Sequence, residues 1–248
     1  MSLSGWLQAA LDFVFPAECV SCHGFLGDHR VALFCRLCWN TITPITATGC
    51  PKCGRPYPSE TVLRQTPHFI CGACRKAPPF FDRAAAAAYY EGVLQQAILQ
   101  FKQKTGLGKP LAQLMLTYLP QDLDVRQDHA ILPVPLHKTR QRYRGYNQSA
   151  LLAQYLARHF QIPLVVNNLI RIRATVPQWK IKGPKERREN VKNAFRVMNP
   201  TSLQDKQVIL VDDVLTTGAT VNECAKTLKE AGVKSVLVLT LSRADHSR

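Results

Sequence analysis

Two adjacent carboxylates follow an apolar run near the end of this 248-residue chain. The run is Val208 to Val211, the carboxylates are Asp212 and Asp213, and a Thr-Thr-Gly-Ala-Thr turn at 216–220 comes shortly after them. An apolar run without alternation is typical of a strand buried in a parallel sheet, where ligands collect at the carboxyl ends of the strands. We therefore expect both carboxylates at a ligand-binding edge, where the strand meets its loop.

The turn after the carboxylates has the composition of an anion site. Thr216, Thr217 and Thr220 are hydroxyl donors, and Gly218 lets the backbone turn closely. A helix that starts near Ala219 would point free N–H groups at a phosphate. Carboxylates suit hydroxyl groups or a metal ion, so the whole motif fits a ligand with a phosphate at one end and vicinal hydroxyls at the other, as in a ribose 5-phosphate.

Two other interpretations of this motif are weaker. An ordinary strand, turn and helix would not call for two carboxylates where the strand meets the loop. A Walker B strand would be accompanied by a G-x-x-x-x-G-K-[ST] loop. The nearest string, residues 103–110, has Gln103 in place of the first glycine and Pro110 in place of the hydroxyl residue.

Eight of the nine cysteines form four Cys-x-x-Cys pairs in the first third of the chain. In a reducing compartment such pairs favour thiolate metal ligands over disulfides, and a closed structural zinc site takes four ligands. Sequential pairs are preferred to a cross-braced arrangement, and an iron–sulfur cluster stays open as an alternative. His23 and His68 are expected to be surface residues, and Cys224 a small buried one. The predicted ligands are Cys19, Cys22, Cys35 and Cys38 at the first site and Cys50, Cys53, Cys71 and Cys74 at the second.

The composition changes at Pro78-Pro79, which predicts a cysteine-rich domain over residues 1–80 and an α/β domain over 81–248. The start of the chain reads as a short amphipathic helix, since it lacks a basic leader and carries Asp12. Without a long apolar segment, no membrane span is expected, and the expected location is cytoplasmic. The predicted strands are 82–90, 129–136, 208–211 and 235–241, and the predicted helices are 92–103, 108–119, 148–160, 185–192 and 220–231.

Positive charge is concentrated in two segments of this chain, whose formal net charge is +15. Residues 171–200 contain nine Lys and Arg against two Glu. Residues 138–144 contain four cations, in what is expected to be a basic loop on the same sheet edge as Asp212. Such concentration favours a polyanionic partner, a nucleic acid or a phosphorylated substrate, although a solvated basic surface is the plainer alternative.

Two resemblances connect these features. VILVDDVLTTGAT resembles the phosphoribosyl-pyrophosphate (PRPP) signature of type I phosphoribosyltransferases. The four Cys-x-x-Cys pairs, PVPL…RGYNQS, RENVKNAF and VDDVLTTGAT are together similar to the ComF family of competence and DNA-utilisation proteins, and they follow in that family's order. The resemblance implies an α/β fold, a doubly wound and mainly parallel phosphoribosyltransferase sheet, with an N-terminal double zinc ribbon.

The resemblance also implies roles for individual residues. Lys138 to Asn147 is similar to the pyrophosphate loop, and Gln178 to Phe195 to a flexible loop that closes over PRPP, from which Asn190 is also carried over. Asp212 and Asp213 would hold the ribose hydroxyls together with Mg²⁺. The implied catalytic residues are Arg144, Arg187 and Arg188, and the implied PRPP-binding residues are Asp212, Asp213, Thr216, Thr217, Gly218, Ala219, Thr220, Lys138 and Asn147.

Two functions are expected on this basis. The first is transfer of ribosyl 5-phosphate from PRPP to an unknown acceptor. The second is non-catalytic binding of single-stranded DNA by the zinc ribbons and the basic loops, with PRPP as a regulator or vestigial ligand. Trp179, Tyr143 and Tyr146 would then offer stacking faces among the cations. The family's link to natural competence implies partners such as a helicase and other uptake proteins.

Overall fold

The computed structural model describes residues 17–26, 30–57, 69–126 and 128–244, apart from the side chain of Trp179. The predicted amphipathic helix at the start of the chain and His68 lie outside this part of the chain. His23 is exposed, as expected, and Cys224 is fully buried.

Eight α-helices, three short 3₁₀ helices and six strands make up the regular structure of the described residues. The helices are α1 (Arg36–Trp39), α2 (Gly72–Lys76), α3 (Gly92–Phe101), α4 (Gly108–Tyr118), α5 (Lys138–Arg144), α6 (Gln148–Phe160), α7 (Pro184–Val191) and α8 (Ala219–Glu230). The strands are β1 (Arg83–Tyr89), β2 (His129–Pro133), β3 (Leu169–Arg171), β4 (Phe195–Val197), β5 (Gln207–Leu215) and β6 (Ser235–Arg243).

Four of the strands form a parallel sheet in the order β1-β6-β5-β2. Its centre is buried from both sides, which explains why Val208 to Val211 is apolar without alternation. One hydrophobic cluster joins α3, α4 and α6 to one face of the sheet, and a second joins α8 to the other face. The predicted α/β class with a mainly parallel sheet is therefore confirmed.

Two local predictions need correction. β5 runs on to Leu215, because it pairs with β6 as far as Arg243, so Asp212 and Asp213 lie inside the strand and not just beyond it. The basic segment predicted as a loop is largely the helix α5. His137 caps its start, and Gly145 ends it in the left-handed conformation that favours glycine.

The segment between the two short antiparallel strands β3 and β4, residues 172–194, is called the lid below. Predicted as a long connection with one helical turn, it contains a 3₁₀ turn at Gln178–Lys180 and the two-turn helix α7. Asn190 clips the lid internally, because its side chain exchanges hydrogen bonds of 3.1 and 2.9 Å with the backbone of Val176. β3 and β4 pair with each other, so the two ends of the lid lie side by side.

Both edges of the parallel sheet are covered. The cysteine-rich region lies along β1, where the amides of Ala84 and Tyr89 donate to the carbonyls of Lys52 and Thr43 at 2.8 and 3.0 Å. At the other edge the Ile131 amide donates to Pro163 at 2.9 Å. Because unpaired strand edges invite association with other chains, this covering protects the sheet.

The cysteine-rich region also shares the core of the α/β part. Leu26, Phe34 and Ile42 are buried in the same hydrophobic cluster as α3 and α4. The division of the chain at residue 80 stays a prediction, and the two parts are packed together. No helix among the described residues has both the length and the apolar character needed to cross a bilayer.

Candidate ligand cleft and metal centres

The eight paired cysteines form two clusters, grouped sequentially as expected. In each cluster the four sulfur atoms lie within 4.8 Å of one another. The Sγ atoms of Cys22 and Cys35 are 3.8 Å apart, and those of Cys53 and Cys71 are 3.7 Å apart. A tetrahedral zinc ion with Zn–S bonds of about 2.3 Å places its sulfurs about 3.8 Å apart, so the donor sets fit zinc.

Backbone amides support the sulfurs in both clusters. The amide of Cys35 donates to the Sγ of Cys19 at 3.3 Å, and the amide of Cys71 donates to the Sγ of Cys50 at 3.4 Å. Hydrogen bonds of this kind stabilise thiolates, which are the form that binds metal. Each cluster is therefore arranged as a closed Cys₄ site.

The carboxyl ends of the four parallel strands surround a cleft of about 540 Å³. Six of the twelve predicted site residues line it, and four of them, Asp212, Asp213, Thr216 and Thr220, lie on the β5–α8 side. Arg144 and Arg187 also line the cleft, Arg144 from α5 and Arg187 from the lid. The cleft is thus acidic at one wall and strongly basic at the other.

Asp212 is held by the start of α6. One of its oxygens, Oδ1, accepts hydrogen bonds from the Ser149 hydroxyl and from the Asp213 amide, each at 2.9 Å. Burial and the neighbouring Asp213 carboxylate raise the pKa of Asp212 to about 7, while Ser149 opposes that rise. At neutral pH this carboxyl therefore sits near its titration point, and a bound cation would favour its ionised form.

The phosphate end of the predicted site is a small hollow beside the cleft. Thr216, Thr217, Gly218, Ala219 and Thr220 all line it. Gly218 has φ +76°, a conformation that favours glycine, and from there α8 runs for 12 residues. The amino end of α8 therefore faces the hollow, and helix amino ends stabilise anions.

The basic wall of the cleft is a group of arginines crowded against one another. Burial lowers the pKa of Arg171, with Arg140 as the next cause, and burial together with Arg144 lowers the pKa of Arg140. Arg171 is only 8% exposed, and its Nε has no hydrogen-bond partner among the described residues. An anion relieves such mutual repulsion, so this wall suits an anionic group.

Three predicted residues lie away from this cleft. Arg188 is exposed on α7 and does not line it, and Lys138 is exposed on α5 beside a second cleft of about 900 Å³. Asn147 has a local structural contact: its side chain accepts from the Ser149 amide and donates to the Val134 carbonyl, both at 3.0 Å. Asn147 thereby sets the start of α6, which in turn places Ser149 against Asp212.

The lid lies over the phosphate hollow. The side-chain nitrogen of Gln178 is 3.5 Å from the hydroxyl oxygen of Thr220 and 3.4 Å from the Arg187 carbonyl. Gln178 lines both the cleft and the hollow. The lid therefore closes the same end of the site that the Thr-Thr-Gly-Ala-Thr turn forms.

Sequence reasoning missed Ser149, Arg171 and Arg243, which all line the cleft. Ser149 belongs to the quoted RGYNQS motif, so its position beside Asn147 was the available signal. Arg243 is the last residue of β6, two residues beyond the strand predicted over 235–241, and a cation just past a predicted parallel strand was the signal there. Arg171 ends β3, a short antiparallel strand that was not predicted, and nothing singled it out within the basic segment 171–200.

Two family models match this chain. Residues 10–75 match a double zinc ribbon domain, and residues 147–248 match a phosphoribosyl transferase domain. Together with the parallel sheet, its cleft and the two Cys₄ clusters, these matches define the class: a type I phosphoribosyltransferase domain joined to a double zinc ribbon.

The chain is also similar to curated proteins along most of its length. Competence protein F of Haemophilus influenzae is 35% identical over 239 residues, covering 93% of this chain and 98% of that protein. DNA utilization protein YhgH of Escherichia coli K12 is 33% identical over 214 residues, covering 84% and 89%. Competence protein ComFC of Bacillus subtilis is 30% identical over 227 residues, covering 88% and 85%. The chain belongs to the ComF family, which confirms the resemblance seen in the sequence.

Proposed function

We propose that this protein binds PRPP with Mg²⁺ in the cleft and transfers its ribosyl 5-phosphate to an acceptor, releasing pyrophosphate. Relatives named Competence protein F and DNA utilization protein YhgH support a role of this activity in competence or DNA utilisation. One observation carries the proposal: two carboxylates, a phosphate hollow and a wall of arginines line one cleft at the carboxyl edge of the sheet.

Each part of PRPP has a matching part of the cleft. The 5-phosphate would lie in the hollow, where hydroxyls and the amino end of α8 offer donors. The ribose hydroxyls would meet Asp212 and Asp213, which accept hydrogen bonds in their ionised forms. The pyrophosphate would face Arg140, Arg144 and Arg187.

The carboxylate pair also fits Mg²⁺, which prefers oxygen ligands and is commonly shared between one or two carboxylates and substrate phosphates. When bound, the ion would neutralise charge between the sugar and the pyrophosphate. The remaining work falls to this chain's own residues. The arginines stabilise the charge that develops on the departing pyrophosphate, and the closed lid excludes water and fixes the orientation of the sugar.

Calorimetric titration of the metal-loaded protein with PRPP, with and without Mg²⁺, tests the site. Asp213→Asn removes one of the two carboxylates and should weaken binding at least tenfold. Asp128→Asn is the matched control, since Asp128 bonds Gln207 at the opposite end of β5. Equal affinities of the wild type and Asp213→Asn would contradict the site. Turnover is then tested by measuring released pyrophosphate with bases, nucleotides and single-stranded DNA as acceptors.

A second candidate function is direct binding of single-stranded DNA, and the surface of α5 favours it. Tyr143 is 91% exposed, and Lys138 and Arg142 are exposed on the same short helix. None of the three lines the PRPP cleft. An exposed ring among cations suits stacking of a base and contact with phosphates. Tyr146 is a poorer candidate, because its hydroxyl donates to the carbonyl of Phe101 and its ring is half-buried.

An oligonucleotide titration over a salt series separates the two functions. DNA binding that falls steeply with salt, is weakened by Tyr143→Ala and ignores PRPP would support a binding protein with PRPP as regulator or vestigial ligand. Tyr118→Ala is a suitable control, because Tyr118 is an exposed aromatic residue on a different helix. DNA binding that is unaffected by Tyr143→Ala would rule out α5 as the contact. Pull-down with a competence helicase would test the partner that the family implies.

A further inference from the structure

Arg243 lies at the junction of the cleft with the cysteine-rich region. It is the last residue of β6 and pairs in register with Tyr89 of β1 on one side and Leu215 of β5 on the other. Its side chain is 4% exposed and lines the cleft together with Asp213. A buried arginine at this edge faces the ligand space from the side opposite Arg140 and the lid.

The second Cys₄ cluster fixes this arginine. Nη1 of Arg243 donates to the carbonyl of Cys53 at 2.7 Å, across 190 residues of sequence. Cys53 is a ligand of the second cluster, and the preceding carbonyl, that of Lys52, accepts from the Ala84 amide of β1. The Cys50–Cys53 turn is therefore attached to two neighbouring strands of the sheet, once through the backbone and once through Arg243.

Gly54 shows how closely the Cys50–Cys53 turn packs against β1. A Cβ placed on Gly54, the next residue, would be 2.4 Å from the Ala84 carbonyl oxygen, so the turn lies directly against β1. Arg243 is only partly satisfied there, since its Nε has no hydrogen-bond partner in the part of the chain that the structure describes. That Nε is buried, but a guanidinium has five N–H donors, so the bond to Cys53 leaves other donors on a side chain that lines the cleft.

We propose that Arg243 contacts the anionic ligand of the cleft and is oriented for this by the second zinc ribbon, so that ligand binding and metal retention at the second cluster are coupled. This inference rests on the proposed function, because it takes PRPP as the ligand. An anion that orders the guanidinium also makes its bond to Cys53 more persistent. The Cys50–Cys53 turn then opens less often, and the metal leaves more slowly. By thermodynamic linkage, the factor by which the ligand raises the equilibrium affinity of the cluster for metal is also the factor by which bound metal raises the affinity for the ligand.

The test follows metal loss at each cluster separately in the full-length, zinc-loaded protein. A chelator removes zinc, iodoacetamide traps each freed thiol, and peptide mapping reports alkylation rates at Cys50 and Cys53 and at Cys19 and Cys22. Saturating PRPP with Mg²⁺ should slow alkylation at the second cluster about fivefold, the low end of typical coupling factors. Alkylation at the first cluster should be unchanged.

Variants locate the coupling. Arg243→Gln should remove the effect of PRPP on the second cluster, and Arg243→Lys, which keeps the charge and a donor, should restore part of it. Arg187→Gln is the matched control, because Arg187 lines the same cleft but bonds the Ile181 carbonyl in the lid. At PRPP concentrations that saturate Arg187→Gln, the slowing should be retained.

The possible outcomes separate this inference from the proposed function. PRPP binding in the wild type without any change at the second cluster would overturn the coupling and leave the proposed function in place. Slowing that persists fully in Arg243→Gln would overturn the role of Arg243. Absence of PRPP binding in wild-type calorimetry would refute both. The wild-type comparison of the two clusters needs no variant, so a variant that fails to fold does not remove the test.

Discussion

Replacing Asp212 with asparagine is expected to stabilise the protein while it removes PRPP binding. Both hydrogen bonds to this side chain end on the single oxygen Oδ1, from the Ser149 hydroxyl and the Asp213 amide. An asparagine keeps an acceptor oxygen at that place, so Asp212→Asn retains both bonds. What it removes is the cost of burying a second charge beside Asp213.

The magnitude follows from the pKa of Asp212, which rises from 3.8 to about 7 on folding because of burial and Asp213. Since the folded protein holds this proton to higher pH than the unfolded chain, Asp212 lowers stability increasingly as pH rises from about 4 to about 7. At about 1.4 kcal/mol per pKa unit, the cost is about 4 kcal/mol at pH 8 and about 2 kcal/mol at pH 5. Asp212→Asn should recover these amounts.

Urea unfolding of the zinc-loaded wild type and variant at pH 5 and pH 8 measures the difference. Asp122→Asn is a control for which the opposite sign is expected. The hydrogen bond from Arg83 lowers the pKa of Asp122 in the folded protein, so the ionised carboxylate stabilises the fold at pH values above the pKa that Asp122 has in the unfolded chain. That variant should lose stability at pH 8, by less than about 1 kcal/mol for an exposed ion pair. A variant at position 212 that is less stable than the wild type, or equally stabilised at both pH values, would show that the buried Asp212 charge does not destabilise the fold.

Three further outcomes are expected. Ser149→Ala should raise the pKa of Asp212 further, because a donor to the carboxylate is lost, and so shift the pH dependence of PRPP affinity upward, measured by calorimetry; an unchanged pH profile would contradict this. Gly54→Ala should cost about 2 to 4 kcal/mol in urea unfolding, since its Cβ would meet the Ala84 carbonyl at φ +66°, whereas Gly72→Ala, with open space around it, should be near neutral; equal effects would argue against the docked turn. Chelation of zinc should make the cysteine-rich region sensitive to protease, while a fragment starting near residue 81 persists. Equal resistance with and without chelator would contradict the assignment of zinc to the two clusters.

Local patterns in the sequence were sufficient for the fold class, because each signal lies within a short window. The run from Val208 to Val211 carries the buried strand, and the four Cys-x-x-Cys pairs carry the metal clusters. Each cluster consists of two Cys-x-x-Cys pairs that are neighbours in the sequence. Within the candidate site, β5 and the turn that follows it were predictable, because they are contiguous in sequence.

Contacts between distant segments were not predictable in this way. Ser149 meets Asp212 across 63 residues, and Arg243 meets Cys53 across 190. The true end of β5 depends on its pairing with β6, which is a tertiary property. The helix α5 is different: Gly145 at its end was a recognisable C-terminal signal, whereas His137, which caps its start, is not among the usual N-cap residues.

The strand order has a consequence for how the chain folds during synthesis. β1 is the first strand of the sheet to be made, but its inner neighbour is β6, the last. Contacts this distant in sequence form slowly, because a long loop must be closed first. The cysteine-rich region precedes β1 in the chain and is therefore synthesised first, and in the folded protein its carbonyls of Thr43 and Lys52 bond one edge of β1. A metal-nucleated ribbon can thus hold the nascent strand in place until the end of translation supplies its partner.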